Sequence, residues 1–381
     1  MANYAAAGRL ASGEANGPTG CGRRQSRAAS IRPARPLRSE EVPCSGDHSR
    51  WPYRDVVPGQ GGGEAGELKP TRRSVFLLPA IGLLLRSGSG GSRLPSAPGT
   101  RIIFGGDVML SRYVGMVAEE KRDPAWPLHE LAGLLASSDI AFVNLESPFS
   151  DQGQAARKGM VFKAEPGMVA ALTAAGVDVV STANNHVRDC GSYGIEFTLD
   201  LLAKNGILAT GTGINGAQAH EGVIIARNDV GFGFLAYTFD QSNGNHADQD
   251  ERIAMMDPDH MTADVKRLLE RTDVVIVSMH AGSEYQSQPN SEQRQFAHAA
   301  IDAGASIVVG HHPHVTQPVE AYKGGVIFYS LGNLVFDQLQ RKETQQGWLA
   351  EVRFRGASLA TYRVIPVDIV RTVPRIHIGA G

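Results

Sequence analysis

Three imidazoles crowd into four positions of Gly310-His311-His312-Pro313-His314-Val315. Imidazole is a favoured ligand for zinc, iron and manganese. His312 and His314 are two apart, a spacing that on extended chain puts both rings on one side. Pro313 between them predicts an extended backbone there. Four more polar stretches each follow a β-branched run. They carry Asp107 in Gly105-Gly106-Asp107-Val108-Met109-Leu110, Glu146 in Asn144-Leu145-Glu146-Ser147-Pro148, Asn185 and His186 in Asn184-Asn185-His186-Val187-Arg188-Asp189, and His280 in His280-Ala281-Gly282-Ser283-Glu284-Tyr285. Singly, each has a plainer reading: Asp107 as a helix cap, Glu146 as a loop residue, His280 as a hydrogen-bonded core histidine. Together they form a mixed nitrogen and oxygen set of the kind that holds two metals across a shared carboxylate. Cysteine takes no part, since Cys21 and Cys44 lie far upstream and Cys190 is single, so a structural zinc site is not expected.

Ligands in α/β folds gather beyond the carboxyl ends of strands, and the elements fall accordingly. Strands are expected at 101–106, 139–145, 178–182, 221–226, 231–238, 273–279, 305–310, 326–330, 349–355 and 360–370. Helices are expected at 128–137, 167–175, 193–205, 258–271 and 291–303, the third and last stopped by Gly206 and Gly304. Asn228-Asp229 falls in the turn between paired strands. The pattern predicts an α/β protein with two sheets packed face to face and a helical layer outside each.

The chain has 381 residues and a net charge of -2. Its composition is that of a globular protein. No apolar run reaches the length of a membrane-spanning helix. Three cysteines exclude a disulfide scaffold, and the charge balance gives no support to a nucleic-acid binder. The averages hide a seam near residue 100. Residues 1–100 carry 14 Lys/Arg against 7 Asp/Glu, while 101–381 carry 23 against 32. The first hundred also hold 10 of the 20 prolines.

Residues 1–70 lack hydrophobic periodicity and are expected to be disordered; a basic arm touching nucleic acid or anionic lipid is the alternative. Residues 71–100 read as a twin-arginine export signal and linker: Thr71-Arg72-Arg73-Ser74, an apolar stretch from Val75 to Leu85, then small residues. This predicts export to the periplasm or cell surface, with a cytoplasmic protein as the alternative. The signal is internal and Pro79 interrupts it, which suggests that the natural start lies near Leu68 and that 1–70 is not translated natively.

These stretches, with Tyr329-Ser330-Leu331-Gly332-Asn333, occur in an order and spacing that resembles the bacterial CapA capsule-synthesis proteins, linked to poly-γ-glutamate and related to calcineurin-like metallophosphoesterases. The resemblance covers about residues 101–340. It implies a four-layer α/β/β/α sandwich of the metallophosphoesterase type over 101–381, with two divalent ions, manganese, iron or zinc. Carried over by position, Asp107 and His314 would hold one ion, and Asn185, His280 and His312 the other, with Glu146 bridging. Phosphoesterases usually place Asp-x-His at the first strand. Here Met109 stands at the third position, so one ligand is missing. Ser111 replaces a glycine common in the family.

Two such ions clamp a phosphate and acidify a bridging water. His186 is then the expected general acid. Glu284 and Asn333 are expected to orient ligands or touch substrate. Lys163 and Arg188 would neutralise an anionic polymer or phosphoester, or are solvated surface charges. Two functions follow: a metal-dependent hydrolase, or a non-catalytic metal-binding scaffold working with envelope capsule-synthesis proteins. A purely structural ligand set on a partner-binding domain is a third. Fold alone does not choose between them.

Overall fold

The computed structural model describes residues 99–153, 156–157 and 159–377. The expectations for residues 1–70 and for the export signal lie outside these, except that Gly99 and Thr100 already belong to the first strand.

The chain opens with β1 (Gly99–Val108) and α1 (Arg112–Lys121), followed by α2 (His129–Ala136). Next come β2 (Ile140–Leu145), α3 (Val169–Ala174), β3 (Val179–Ser181), α4 (Gly191–Lys204), β4 (Leu208–Thr210) and α5 (Gly216–Ala219). A hairpin of β5 (Val223–Arg227) and β6 (Val230–Thr238) leads to α6 (Pro258–Leu269), β7 (Val274–His280), α7 (Ser291–Ala303) and β8 (Ile307–His311). Then follow β9 (Thr316–Tyr322), β10 (Gly325–Leu331), β11 (Asn333–Val335), β12 (Gln346–Arg355), β13 (Ser358–Val370) and β14 (Val373–Ile376).

Two sheets result. One runs β14-β13-β12-β1-β2-β3-β4, with β11 also paired to β1; the other runs β5-β6-β7-β8-β10-β9. Strand alternation builds three cores from the two. Ile102, Phe104, Ile140 and Phe142 meet Phe232, Phe234, Ile276 and Val309 between the sheets. The intervening Ile103, Ala141 and Val143 face outward against Val114, Leu131, Leu135, Leu172 and Leu202 of α1 to α4. On the other sheet Val275, Val277 and Val308 face Met261, Val265 and Phe296 of α6 and α7. This is the expected α/β/β/α order.

The expected elements stand with shifts of no more than three residues at their ends. Asn228 and Asp229 are both left-handed, at φ 52° and 63°, as a tight hairpin turn requires. Helix α7 carries a full capping box, Asn290 receiving the Gln293 N–H and Gln293 returning to the Asn290 N–H. The sequence reading omitted α1, α5, β4, β9, β11 and β14. Among the described residues no helix is long and apolar enough to cross a membrane.

Residues at the carboxyl ends of β1, β2, β3, β7 and β8 come into contact across the two sheets. Close backbone approach fixes those ends. A Cβ at Gly310 would land on the Tyr329 carbonyl oxygen, and one at Gly106 on that of Gly332.

Candidate metal centre

Asp107 is the next-to-last residue of β1 and is fully buried. It caps no helix; Ser111 holds that position before α1. One Asp107 oxygen accepts from Asn144 Nδ2 at 2.8 Å, and the other from the His312 amide at 3.2 Å. Glu146 follows β2, also fully buried. Neither of its oxygens has a hydrogen-bond partner. His314 Nε2 and His186 Nε2 flank the same Glu146 oxygen at 3.7 and 3.9 Å.

The loop after β3 brings Asn185 Oδ1 to 2.9 Å from His280 Nε2, across the two sheets. Asn144 Nδ2 lies 3.2 Å from His280 Nδ1, so an Nε2–H tautomer satisfies both contacts. Asn184 pins this loop, donating to the Leu145 carbonyl at 2.8 Å and accepting the His186 amide at 3.1 Å. His186 Nδ1 meets Asp189 at 2.7 Å, and its ring stacks on Phe162 at 3.7 Å.

The histidine turn departs from the extended chain expected of it. His312 and His314 are left-handed, at φ 96° and 58°. Proline disfavours the right-handed helical region for the residue before it, and the chain leaves that region by turning rather than by extending. The rings still neighbour each other, with centroids 6.0 Å apart. Asn333 accepts from His314 Nδ1 at 3.0 Å and is itself held by Gln338 and the Thr344 carbonyl. His311 ends β8 with its ring buried, Nδ1 at 3.5 Å from Asp107 and neither nitrogen hydrogen-bonded.

The fields in this cluster diverge. Burial pushes Glu146 well above the ordinary carboxylate range, and the charges of Asp107, Glu284 and Asp189 add to it. Burial acts on Asp107 too, but the close imidazoles of His311 and His314 outweigh it and hold that carboxyl well below its usual value. Burial, with neighbouring imidazoles, lowers His280 well below its usual value and His312 to about 3. Both rings are therefore neutral near pH 7, the form that ligates metal.

The donors fit a divalent cation. Asp107, Glu146 and His280 each offer a ligand atom within 4.8 Å of the other two, all buried. Glu146 and His312 Nδ1 lack any other partner, a costly state for buried polar atoms. Asn185, His186, His312, His314 and Asn333 join the same cluster. Glu284 is half-buried and close enough to raise Glu146. Lys163 pairs with Glu165 at 2.7 Å. Arg188 is buried, not a solvated charge, and is committed to Asp248 at 3.2 Å and the Asp248 carbonyl at 2.8 Å. Met109, at the position where Asp-x-His would place its histidine, packs among the core residues, its sulfur accepting from Ser111. Asn144, Asp189 and Phe162 were not foreseen. Asn144 sits two before Glu146, and Asp189 three after His186, spacings that carry the signal.

The profile described as "Bacterial capsule synthesis protein PGA_cap" matches residues 101–338. The chain belongs to this family. PGA_cap is a metallophosphoesterase-like family. Among its relatives, the PGA biosynthesis protein CapA of Bacillus subtilis (strain 168) is 34% identical over 276 residues, 71% of this chain and 72% of its own. The capsule biosynthesis protein CapA of Bacillus anthracis is 31% identical over 279 residues, covering 71% and 67%. The crystal structure of a hypothetical protein from Thermus thermophilus aligns with 71% of this chain and 99% of its own, at 17% identity and a TM-score of 0.47. Haemophilus influenzae NAD nucleotidase aligns with 74% of this chain and 60% of its own, at 11% identity and a TM-score of 0.42. The PGA_cap match spans every polar stretch of the cluster.

Proposed function

We propose that this PGA_cap chain is a metal-dependent hydrolase of the phosphoesterase type that works on an anionic cell-envelope polymer, in the poly-γ-glutamate capsule chemistry that its relatives' names record. The carrying observation is Glu146: a buried carboxylate with two unpartnered oxygens, between two histidine nitrogens. A divalent metal relieves that arrangement. Asp107, Glu146, Asn185, His280, His312 and His314 would hold up to two ions, which would polarise a phosphoryl oxygen and acidify water.

The chain's own groups then have distinct work. Asp189 accepts the His186 Nδ1–H, which leaves Nε2 aimed at the centre to carry the proton for a departing alkoxide. Phe162 closes one face of that ring to water. Asn333 fixes the His314 tautomer and ring angle. Asn144 ties Asp107 to His280 through one amide. Export through residues 71–100 belongs to the same proposal, since a twin-arginine route carries proteins already folded around their metal.

The alternative, a scaffold that binds metal without turnover, is favoured by Met109, which withholds one ligand nitrogen. Metal content of the full chain, measured beside hydrolysis of bis(p-nitrophenyl) phosphate with manganese, separates the two. The hydrolase reading expects turnover that falls about a hundredfold or more in His186→Ala while bound metal is retained. Metal binding without turnover in the wild type leaves the scaffold.

A further inference from the structure

Two guanidinium groups outside the ligand set flank the Glu146 carboxylate, each through a pair of neighbouring rings, one stacked and one tilted. On one side Arg112 lies 5.1 Å over the Phe162 ring, and Phe162 stacks on His186. On the other, Arg341 lies 4.5 Å over the Tyr285 ring, and Tyr285 faces His314 at 6.4 Å. His186 and His314 then approach the same Glu146 oxygen. The two paths converge on one atom from opposite rings.

One short segment governs both arms. Asp337 ion-pairs with Arg112 at 2.9 Å and accepts the Tyr113 amide at 3.3 Å. Gln338 donates to the Tyr285 hydroxyl at 3.4 Å and accepts from Asn333. Arg341 follows three residues later, and among the described residues no carboxylate pairs with it. Arg112 holds a left-handed backbone, φ 52°, a conformation non-glycine residues adopt at a cost and keep where the surroundings impose it. Its side chain stays about a third exposed, at 32%. The apolar groups near these arginines, Met160 at 49% and Leu339 at 37%, are exposed as well. The rim thus holds Arg112, anchored by the buried Asp337, and the exposed Arg341 beside exposed aliphatic groups.

We propose that Arg112 and Arg341 form a two-sided grip for an elongated polyanion, holding negative groups on both sides of the linkage that lies over Glu146. This deepens the proposed function and rests on that reading for the position of the reacting bond. A small monoester spans only one arm. A polymer carrying a carboxylate on every repeat engages both, and guanidinium is suited to carboxylate because it donates in a fixed fork.

The test is fluorescence anisotropy of a labelled γ-linked glutamate decamer titrated with the full chain, beside a glutamine decamer as the neutral control. Arg341→Ala and Arg112→Ala are each expected to weaken glutamate binding about tenfold, and the double variant about a hundredfold. Lys204→Ala, on the exposed end of α4, is expected to bind as wild type does. Arg341 lies on an exposed segment, so its variant reports even if Arg112→Ala disturbs α1. Undiminished binding in the double variant moves the polyanion to the basic first hundred residues and overturns the grip. So does equal binding of the glutamine decamer. Metal content and diester turnover, read on the same preparations, keep the two proposals apart. Arginine-dependent binding without turnover sinks the hydrolase alone; turnover with arginine-independent binding sinks the grip alone.

Discussion

Replacing Glu146 with glutamine should stabilise the metal-free chain and destabilise the metal-loaded one. Without metal, the carboxylate is fully buried, has no hydrogen-bond donor, and feels the charges of Asp107, Glu284 and Asp189. Its folded pKa therefore lies well above the 4.5 expected when unfolded. The native state binds this proton the more tightly, so stability falls as pH rises through that interval. At neutral pH the charge costs roughly 2–4 kcal/mol, the usual scale for an uncompensated buried ion. Glutamine removes it, raising the melting temperature by about 3–7 °C for a domain of this size. With manganese a thousandfold above its dissociation constant, the wild type gains about 4 kcal/mol by mass action, and the variant gains little. Differential scanning fluorimetry in EDTA and in excess manganese should show the order of the two proteins invert. A variant that melts below wild type in EDTA, or that keeps the whole manganese shift, would refute the argument.

Asn333→Ala should weaken metal binding about 10–100-fold, because His314 loses the acceptor that fixes its tautomer; competition against a chelating dye measures this. Gly310→Ala drives a methyl group into the Tyr329 carbonyl and should cost more than about 3 kcal/mol in urea unfolding. Glu351 tests acid stability far from the centre. Burial raises it, but ion pairs with Arg363, Arg101 and Arg353 prevail and hold it at about 2. The stability it contributes is complete above pH 4.5 and lost as pH falls toward 2. It should amount to roughly 1–3 kcal/mol, reduced because Arg353 and Arg363 are more than half exposed. Glu351→Gln should flatten the acid limb of a pH-melting series.

Much of the sandwich is legible because its inner strands are short β-branched runs that end in polar residues. The omitted elements share a cause. β9 reads Thr-Gln-Pro-Val-Glu-Ala-Tyr, an edge strand with a proline and only one fully buried residue, so periodicity gives no warning. β4 and β11 have three residues each and exist through pairing with distant strands. α1 begins at Arg112 in a left-handed conformation, without a side-chain cap. At the centre, residue type and order revealed which groups gather. They did not reveal that Arg188 is spent on Asp248, because the 240–250 segment reaches it only in three dimensions. The histidine turn misled for a local reason: a spacing of two implies a shared side on a strand, and these residues had left the strand.

The six proposed ligands divide evenly between the sheets. Asp107, Glu146 and Asn185 lie near the end of or follow strands of one, while His280, His312 and His314 follow or end strands of the other. A cation among them would be a rivet through the sandwich rather than a guest in a loop. Its escape would then require the two layers to part, so its residence time would track the breathing of the whole domain. Amide exchange at the ends of β1 and β8 should slow together when it binds, though roughly 200 residues of chain separate them.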